Sequence, residues 1–175
     1  MAFTRESAGC LNEWLPAFFV LLLACILIAP GNPLRSLGPM GFTIPIQIRF
    51  RDTDGMGHVN NAAFLSYCEV ARLEFYRSHY TVRGPRDVPF ILARTEIDYL
   101  RPLGLDQPSV EVAMTVPRIG ESSWDFAYEI RPTGTADANA SFARAKTVLV
   151  AYDYERGAKQ PIDAKFRKIL SDLQT

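Results

Sequence analysis

From Thr43 onward the apolar and polar positions follow two alternating rhythms. Ile44, Ile46, Ile48 and Phe50 alternate with Gln47, Arg49 and Arg51, the period of a strand with one buried face. An irregular stretch, Asp52-Thr53-Asp54-Gly55-Met56-Gly57-His58, follows. The rhythm then becomes helical, and a helix is expected over residues 61–80. Asn60 is placed as its N-cap, and Phe64, Cys68, Ala71 and Phe75 form an apolar stripe. Glu69 with Arg72, and Glu74 with Arg77, stand three apart and are expected to pair.

Four further strands are predicted. Ile91, Ala93, Thr95, Ile97 and Tyr99 share one face of the first; Val110, Val112, Met114 and Val116 share one face of the second. A turn at Gly120-Glu121-Ser122 leads to Trp124, Phe126, Tyr128 and Ile130 on the third. The last, over 142–154, is apolar on both sides at Val148-Leu149-Val150 and is expected to be central. Phe166, Ile169, Leu170 and Leu173 mark a short amphipathic helix over 162–173. The order is strand, long helix, then four strands on hairpin-length links. That order describes an α+β fold in which a five-stranded antiparallel sheet wraps one helix. One helix cannot cover both faces of such a sheet. A second copy, joined edge to edge or stacked, is expected to supply the missing cover and hide the edges.

Residues 1–39 do not share these rhythms. They contain an apolar run, residues 15–29, followed by Pro30-Gly31-Asn32-Pro33. Three readings stand: a secretory signal, a membrane anchor, or translated sequence upstream of a natural start at Met40. A signal suits the run poorly, because Arg5 is offset by Glu6 and Glu13 and Pro30 follows Ala29 directly. An anchor suits it better, although the run is short for the ~20 apolar residues of a spanning helix. The third reading requires least, since the first strand begins almost at once after Met40. It gives two parts, a leader (1–39) and one domain (40–175), and a cytoplasmic location, with membrane contact only if residues 15–29 are a true anchor.

Composition narrows the class. The 175 residues are 48% hydrophobic, enough for a core, and carry 19 Lys+Arg against 19 Asp+Glu. This balance argues against a nucleic-acid binder. Cys10, Cys25 and Cys68 form no CxxC, and His58 and His79 are the only histidines, so neither a disulfide framework nor a metal centre is expected. GxSxG, Walker A, GxGxxG and HExxH are all absent.

The chemistry concentrates between the first strand and the helix. Gly55 and Gly57 permit close approach of a ligand, and the helix start offers unpaired N–H groups at the positive end of its dipole. Such donors polarise a carbonyl and hold a developing oxyanion, while a carboxylate opposite them activates water or attacks directly. A thioester suits this sparse equipment, because a thiol of pKa about 8.5 leaves without a strong acid.

Asp52-Thr53-Asp54, Gly57-His58-Val59-Asn60-Asn61 and the helix from Phe64 to Arg72 resemble the 4-hydroxybenzoyl-CoA thioesterase family of hotdog proteins, and within it the long-chain acyl-CoA thioesterase branch. The likeness continues through Ile97-Asp98-Tyr99-Leu100-Arg101-Pro102 and Ile119-Gly120-Glu121-Ser122-Ser123, and stops short of the leader. Gln107-Pro108-Ser109 departs from the Gly-Asp often found there. The resemblance implies the hotdog fold, hydrolysis of an acyl-CoA to acid and thiol in fatty acid metabolism, no cofactor, and a homodimer or homotetramer with sites between subunits. It places the catalytic carboxylate on Asp54 and the carbonyl-polarising amide on the backbone of Asn61.

His58 is the third catalytic candidate, and Gly57, Asn60 and Ser123 are candidates for holding substrate; each also has a plainer role. Asp54 can cap a turn, His58 can fix the loop, Asn60 and Asn61 can cap the helix, and Ser123 can serve its turn unless it reaches a partner's site. Asp52 is read as structural support and Cys68 as a core thiol. Arg101, Arg118 and Lys146 are candidates for CoA phosphates or ordinary surface charge. Other activities remain open: an acyl-carrier-protein thioesterase, an enoyl-thioester hydratase, or a non-catalytic acyl-thioester-binding module.

Overall fold

The computed structural model describes residues 36–38, 41–135 and 137–174. The readings of the leader therefore lie outside the described residues, apart from three positions. The elements in chain order are β1 (Ser36–Gly38), β2 (Gly41–Gln47), α1 (Asn61–Arg77), β3 (Phe90–Tyr99), β4 (Ser109–Ile119), β5 (Ser123–Pro132), β6 (Ala143–Asp153), β7 (Ala158–Lys159) and α2 (Ala164–Ser171).

All pairings in the sheet are antiparallel, in the order β1-β2-β4-β5-β6-β3, with β7 added to β6. Five strands are long, as expected; β1 and β7 are short additions. β6 lies between β5 and β3, which agrees with its two apolar faces. β2 opens on Gly41, whose φ is +106° and where a Cβ would stand 2.3 Å from the Met114 carbonyl oxygen, so only glycine fits.

The concave face of the sheet carries Phe42, Ile44, Ile46, Val110, Val112 and Met114, then Trp124, Phe126, Tyr128, Ile130 and Leu149, all buried. Against them α1 lays Phe64, Cys68, Ala71 and Phe75, the stripe read from the sequence, together with Tyr67 and Tyr76. Ile162, Phe166 and Leu170 at the C-terminal end close one end of this core. A curled antiparallel sheet around one long helix, with a short C-terminal helix, is the hotdog arrangement.

Four expectations change. β2 ends at Gln47, so Phe50, read on its buried face, lies beyond the strand and is exposed. α1 ends at Arg77 rather than Tyr80, because Ser78 caps it with an Oγ bond to the Phe75 carbonyl at 2.6 Å. α2 is confined to Ala164–Ser171, started by the Asp163 carboxylate accepting the Phe166 N–H at 3.0 Å. In β3 the face predicted from strict alternation is wrong in its first half. The pairing with β6 slips between Leu92 and Arg94, so Leu92 faces Leu149 and Thr95 faces Thr147. A bulge at Ala93 thus turns Phe90 and Leu92 toward the concave side in place of Ile91 and Ala93.

Candidate active site

The stretch between β2 and α1 folds back on itself. A single 3-10 turn (Phe50–Asp52) leaves the strand, and an isolated bridge pairs Thr53 with Val59. Inside this bridge the Asp54 N–H donates to the His58 carbonyl at 2.8 Å and the Gly57 N–H to the Asp54 carbonyl at 3.2 Å. Gly57 takes φ +82°, the left-handed geometry that the tight return needs. The loop is backed by a distant segment: Val59 N–H donates to the Leu103 carbonyl at 2.7 Å, and His58 bridges Gly104.

Asp54 is half-buried. Its Oδ1 accepts from the Met56 N–H at 2.9 Å and the His58 N–H at 3.4 Å. The turn-capping role is therefore real, and it occupies one oxygen. No donor among the described residues reaches Oδ2. Two N–H groups thus fix the plane of the carboxylate and leave its second oxygen open. Since Asp54 touches His58, and three residues span at most about 11 Å, the carboxylate is held close to the start of α1.

That start is built as read. Asn60 is the N-cap, its side-chain oxygen accepting from the Ala62 N–H at 2.8 Å, and its carbonyl takes the Ala63 N–H. The Asn61 N–H, first of the helix, makes no hydrogen bond among the described residues. It is a donor at the positive end of the dipole that faces solvent. The Asn61 carbonyl is tied by the Tyr99 hydroxyl at 3.0 Å, an anchor from β3 that sequence reading did not assign.

Asp52 has the supporting role expected of it. Its carboxylate accepts from the Arg49 N–H at 2.9 Å and the Tyr67 hydroxyl at 3.0 Å, while its carbonyl takes the Asn60 N–H at 2.7 Å. Burial first, and then the Asp52 carboxylate, push the Tyr67 phenol far up, so it remains a donor. A cleft of about 460 Å³ opens beside this pair, with Arg49, Arg51, Asn60 and Ser66 on its walls. Asp52, not Asp54, lines it. The two arginines stood in the sequence as the polar face of a strand, and only the turn after β2 reveals that they flank a cavity.

His58 holds the loop through its backbone; its ring is exposed. Ser123 stands at the far end of the sheet, where its carbonyl takes the Gly120 N–H at 2.7 Å and its hydroxyl lies 3.4 Å from Arg118. Within one protomer it does not join the Asp54 loop. Cys68 is buried, and burial pushes its thiol up to about 12, so it supplies no thiolate. Arg118 and Lys146 hold the buried Asp125 at 2.5 and 3.0 Å. The expected pair of Glu69 with Arg72 is not formed: Arg72 turns inward to the Tyr128 hydroxyl, whereas Glu74 and Arg77 do pair at 3.0 Å.

Residues 48–170 match the family model of the thioesterase-like superfamily. No curated protein sequence matches the chain. Among solved structures, a thioesterase from Thermus thermophilus, complexed with coenzyme A and Zn, is 32% identical, with a TM-score of 0.63 over 75% of this chain and 93% of that one. A predicted thioesterase from Bacillus stearothermophilus is 26% identical, with a TM-score of 0.68 over 76% and 96%. A 1,4-dihydroxy-2-naphthoyl-CoA thioesterase from Synechocystis is 26% identical, with a TM-score of 0.65 over 75% and 96%.

Proposed function

Because this chain belongs to the thioesterase-like superfamily, we propose that it hydrolyses an acyl-CoA thioester to the free acid and CoA thiol, using Asp54. The observation that carries the reading is the division of labour in one carboxylate. Oδ1 is pinned by the Met56 and His58 amides, and Oδ2 is open beside the helix start. The carbonyl oxygen of the substrate takes the solvent-facing Asn61 N–H. The carbonyl carbon becomes electrophilic, and charge that develops on the oxygen meets a donor fixed by the N-cap. Asp54 Oδ2 removes a proton from the attacking water, or attacks in its place to give an anhydride that water then opens. The thiolate leaves unaided.

The edge of the sheet supports a dimer. Among the described residues β3 pairs only with β6, and Ile91, Leu92, Tyr99 and Leu100 are between 37% and 50% exposed. A ten-residue edge of this kind invites a second copy. Gly57, Asn60 and the His58 ring then line the substrate's path, and Ser123 contributes only if the assembly brings it to the neighbouring loop.

The test is a thiol-release assay over short-, medium- and long-chain and aromatic acyl-CoAs, with Asp54→Asn alongside. Asparagine keeps an oxygen for the Met56 and His58 amides and removes the charge. Turnover by the wild type that survives in Asp54→Asn on every substrate sinks the assignment.

A further inference from the structure

A buried arginine on α1 has no part in this chemistry. Arg72 is 8% exposed. Its Nη1 donates to the Tyr128 hydroxyl at 3.3 Å, and that hydroxyl lies 3.1 Å from Thr147 Oγ1. No carboxylate of the described residues lies within ion-pair distance of it. A guanidinium keeps its charge in any protein and offers five donors in a planar fork. Here one neutral phenol answers it. A buried charge without a counter-charge is costly unless a ligand supplies one.

Arg72 is on the wall of a cleft of about 510 Å³. Val82, Val88, Phe90, Leu92 and Leu149 make its apolar side, and the bulge at Ala93 is what turns Phe90 and Leu92 into it. Arg77 and Arg83 also line the cleft, as does Glu69. Arg77 is already paired with Glu74, and the charge of Arg83 acts on the nearby Asp87 carboxylate, which leaves Arg72 as the lining cation with no carboxylate at ion-pair distance among the described residues. Eleven residues of helix, about 16 Å, separate Arg72 from Asn61, so this is not the Asp54 loop.

We propose that this cleft binds a carboxylate carrying an apolar chain, with the carboxylate on Arg72 and the chain along Phe90 and Leu92. Two sources offer that chemistry: a free fatty acid, or the far carboxylate of a dicarboxylic acyl group still joined to CoA. The second rests on the hydrolytic reading above; the first does not.

Calorimetric titration of the full chain with decanoate and with decanol separates charge from chain. Decanoate binds at least about tenfold tighter than decanol, Arg72→Gln loses about tenfold or more of the decanoate affinity, and Arg72→Lys recovers part of it. Thermal unfolding shows whether Arg72→Gln folds; if it does not, Arg83→Gln, at the exposed end, carries the test with a loss of a few-fold. Equal binding of decanoate and decanol overturns the proposal, as does full decanoate affinity in folded Arg72→Gln. Absence of binding up to about 1 mM decanoate also overturns it. Turnover of decanoyl-CoA against the mono-CoA thioester of the ten-carbon diacid then names the source. A diacid preference lost in Arg72→Gln assigns the cleft to the acyl group; no preference assigns it to the free acid. Decanoate binding without turnover of any thioester of the full acyl-CoA panel leaves the cleft standing and removes the hydrolytic reading.

Discussion

The two ends of α1 are built from different materials. At its N-terminal end polar hydrogen bonds dominate, Asp54 to its own loop, Asp52 to Tyr67, Asn60 to Ala62 and Tyr99 to Asn61, with Phe64 edge-on to Tyr99 beneath them. Much of that surface is open to water. At its C-terminal end the contacts are rings. Phe75 meets Phe42 at 5.4 Å, Phe126 at 5.7 Å and His79 at 4.9 Å; Tyr76 stacks on Tyr80 and meets Phe90 and Phe166 edge-on. Each ring there has several neighbours, so none can be altered alone. The helix carries the open Asn61 N–H at one end and much of the core at the other, so a well-packed second end keeps the first in place.

Substitutions at the two ends should separate activity from stability. Asp54→Asn is expected to lower kcat/KM by about a hundredfold to ten-thousandfold with the melting temperature nearly unchanged. Phe75→Ala is expected to cost about 3–5 kcal/mol of stability, read by denaturant titration, because a fully buried ring leaves a cavity in a packed cluster. If Asp54→Asn unfolds the protein, or Phe75→Ala leaves stability unaltered, the two ends are not distinct. Asp54→Ala gives a finer contrast. It removes the acceptor for two amides as well as the charge, so it adds about 1 kcal/mol of destabilisation to the loss of activity.

What could be read in the sequence divides along the same line. The stripe of α1 and the Asn60 cap depend on neighbours within a turn, and both are where the spacing put them. The face of β3 depends on a bulge that only its pairing with β6 defines, so alternation misassigned Ile91 and Ala93. Arg72 was expected to pair with Glu69 three residues away, and instead meets Tyr128, 56 positions downstream. The motif around Asp54 marked a candidate site, but the closure of its loop by Leu103 and Gly104 comes from a segment with no local signal. The fold was legible because its periodicities are local; the second cleft was not, because it is assembled from α1, the segment after it and two strands.

The Asp52–Tyr67 bond tests whether the polar end is a sum of separable parts. Tyr67→Phe keeps the ring in the core and removes one donor to a carboxylate that also holds Arg49. A loss of about 1 kcal/mol is expected, with a smaller fall in kcat/KM than for Asp54→Asn, measured by urea midpoint and initial rates. A larger kinetic than thermodynamic effect would place Tyr67 nearer the reacting atoms than its geometry implies.

The smallest effect concerns a charge belonging to neither end. Asp125 lies in β5 with 2% exposure, between Arg118 and Lys146. Burial pushes its carboxyl up, but the bonds and charges of Arg118 and Lys146 outweigh burial and hold it below the usual carboxylate value. A carboxyl lowered on folding stabilises the folded chain fully above its unfolded value of about 3.9, and that contribution drains away as pH falls through the lower folded value. Both cations stand half in water, so the pH-dependent part is at most about 1 kcal/mol. Asp125→Asn removes it at every pH. The stability difference between wild type and Asp125→Asn should therefore be constant from about pH 5 to about pH 8, within the range where both ionisation states are settled, and narrow below about pH 4. If instead the gap widens in acid, the carboxyl is held above its unfolded value and burial, not Arg118 and Lys146, governs it.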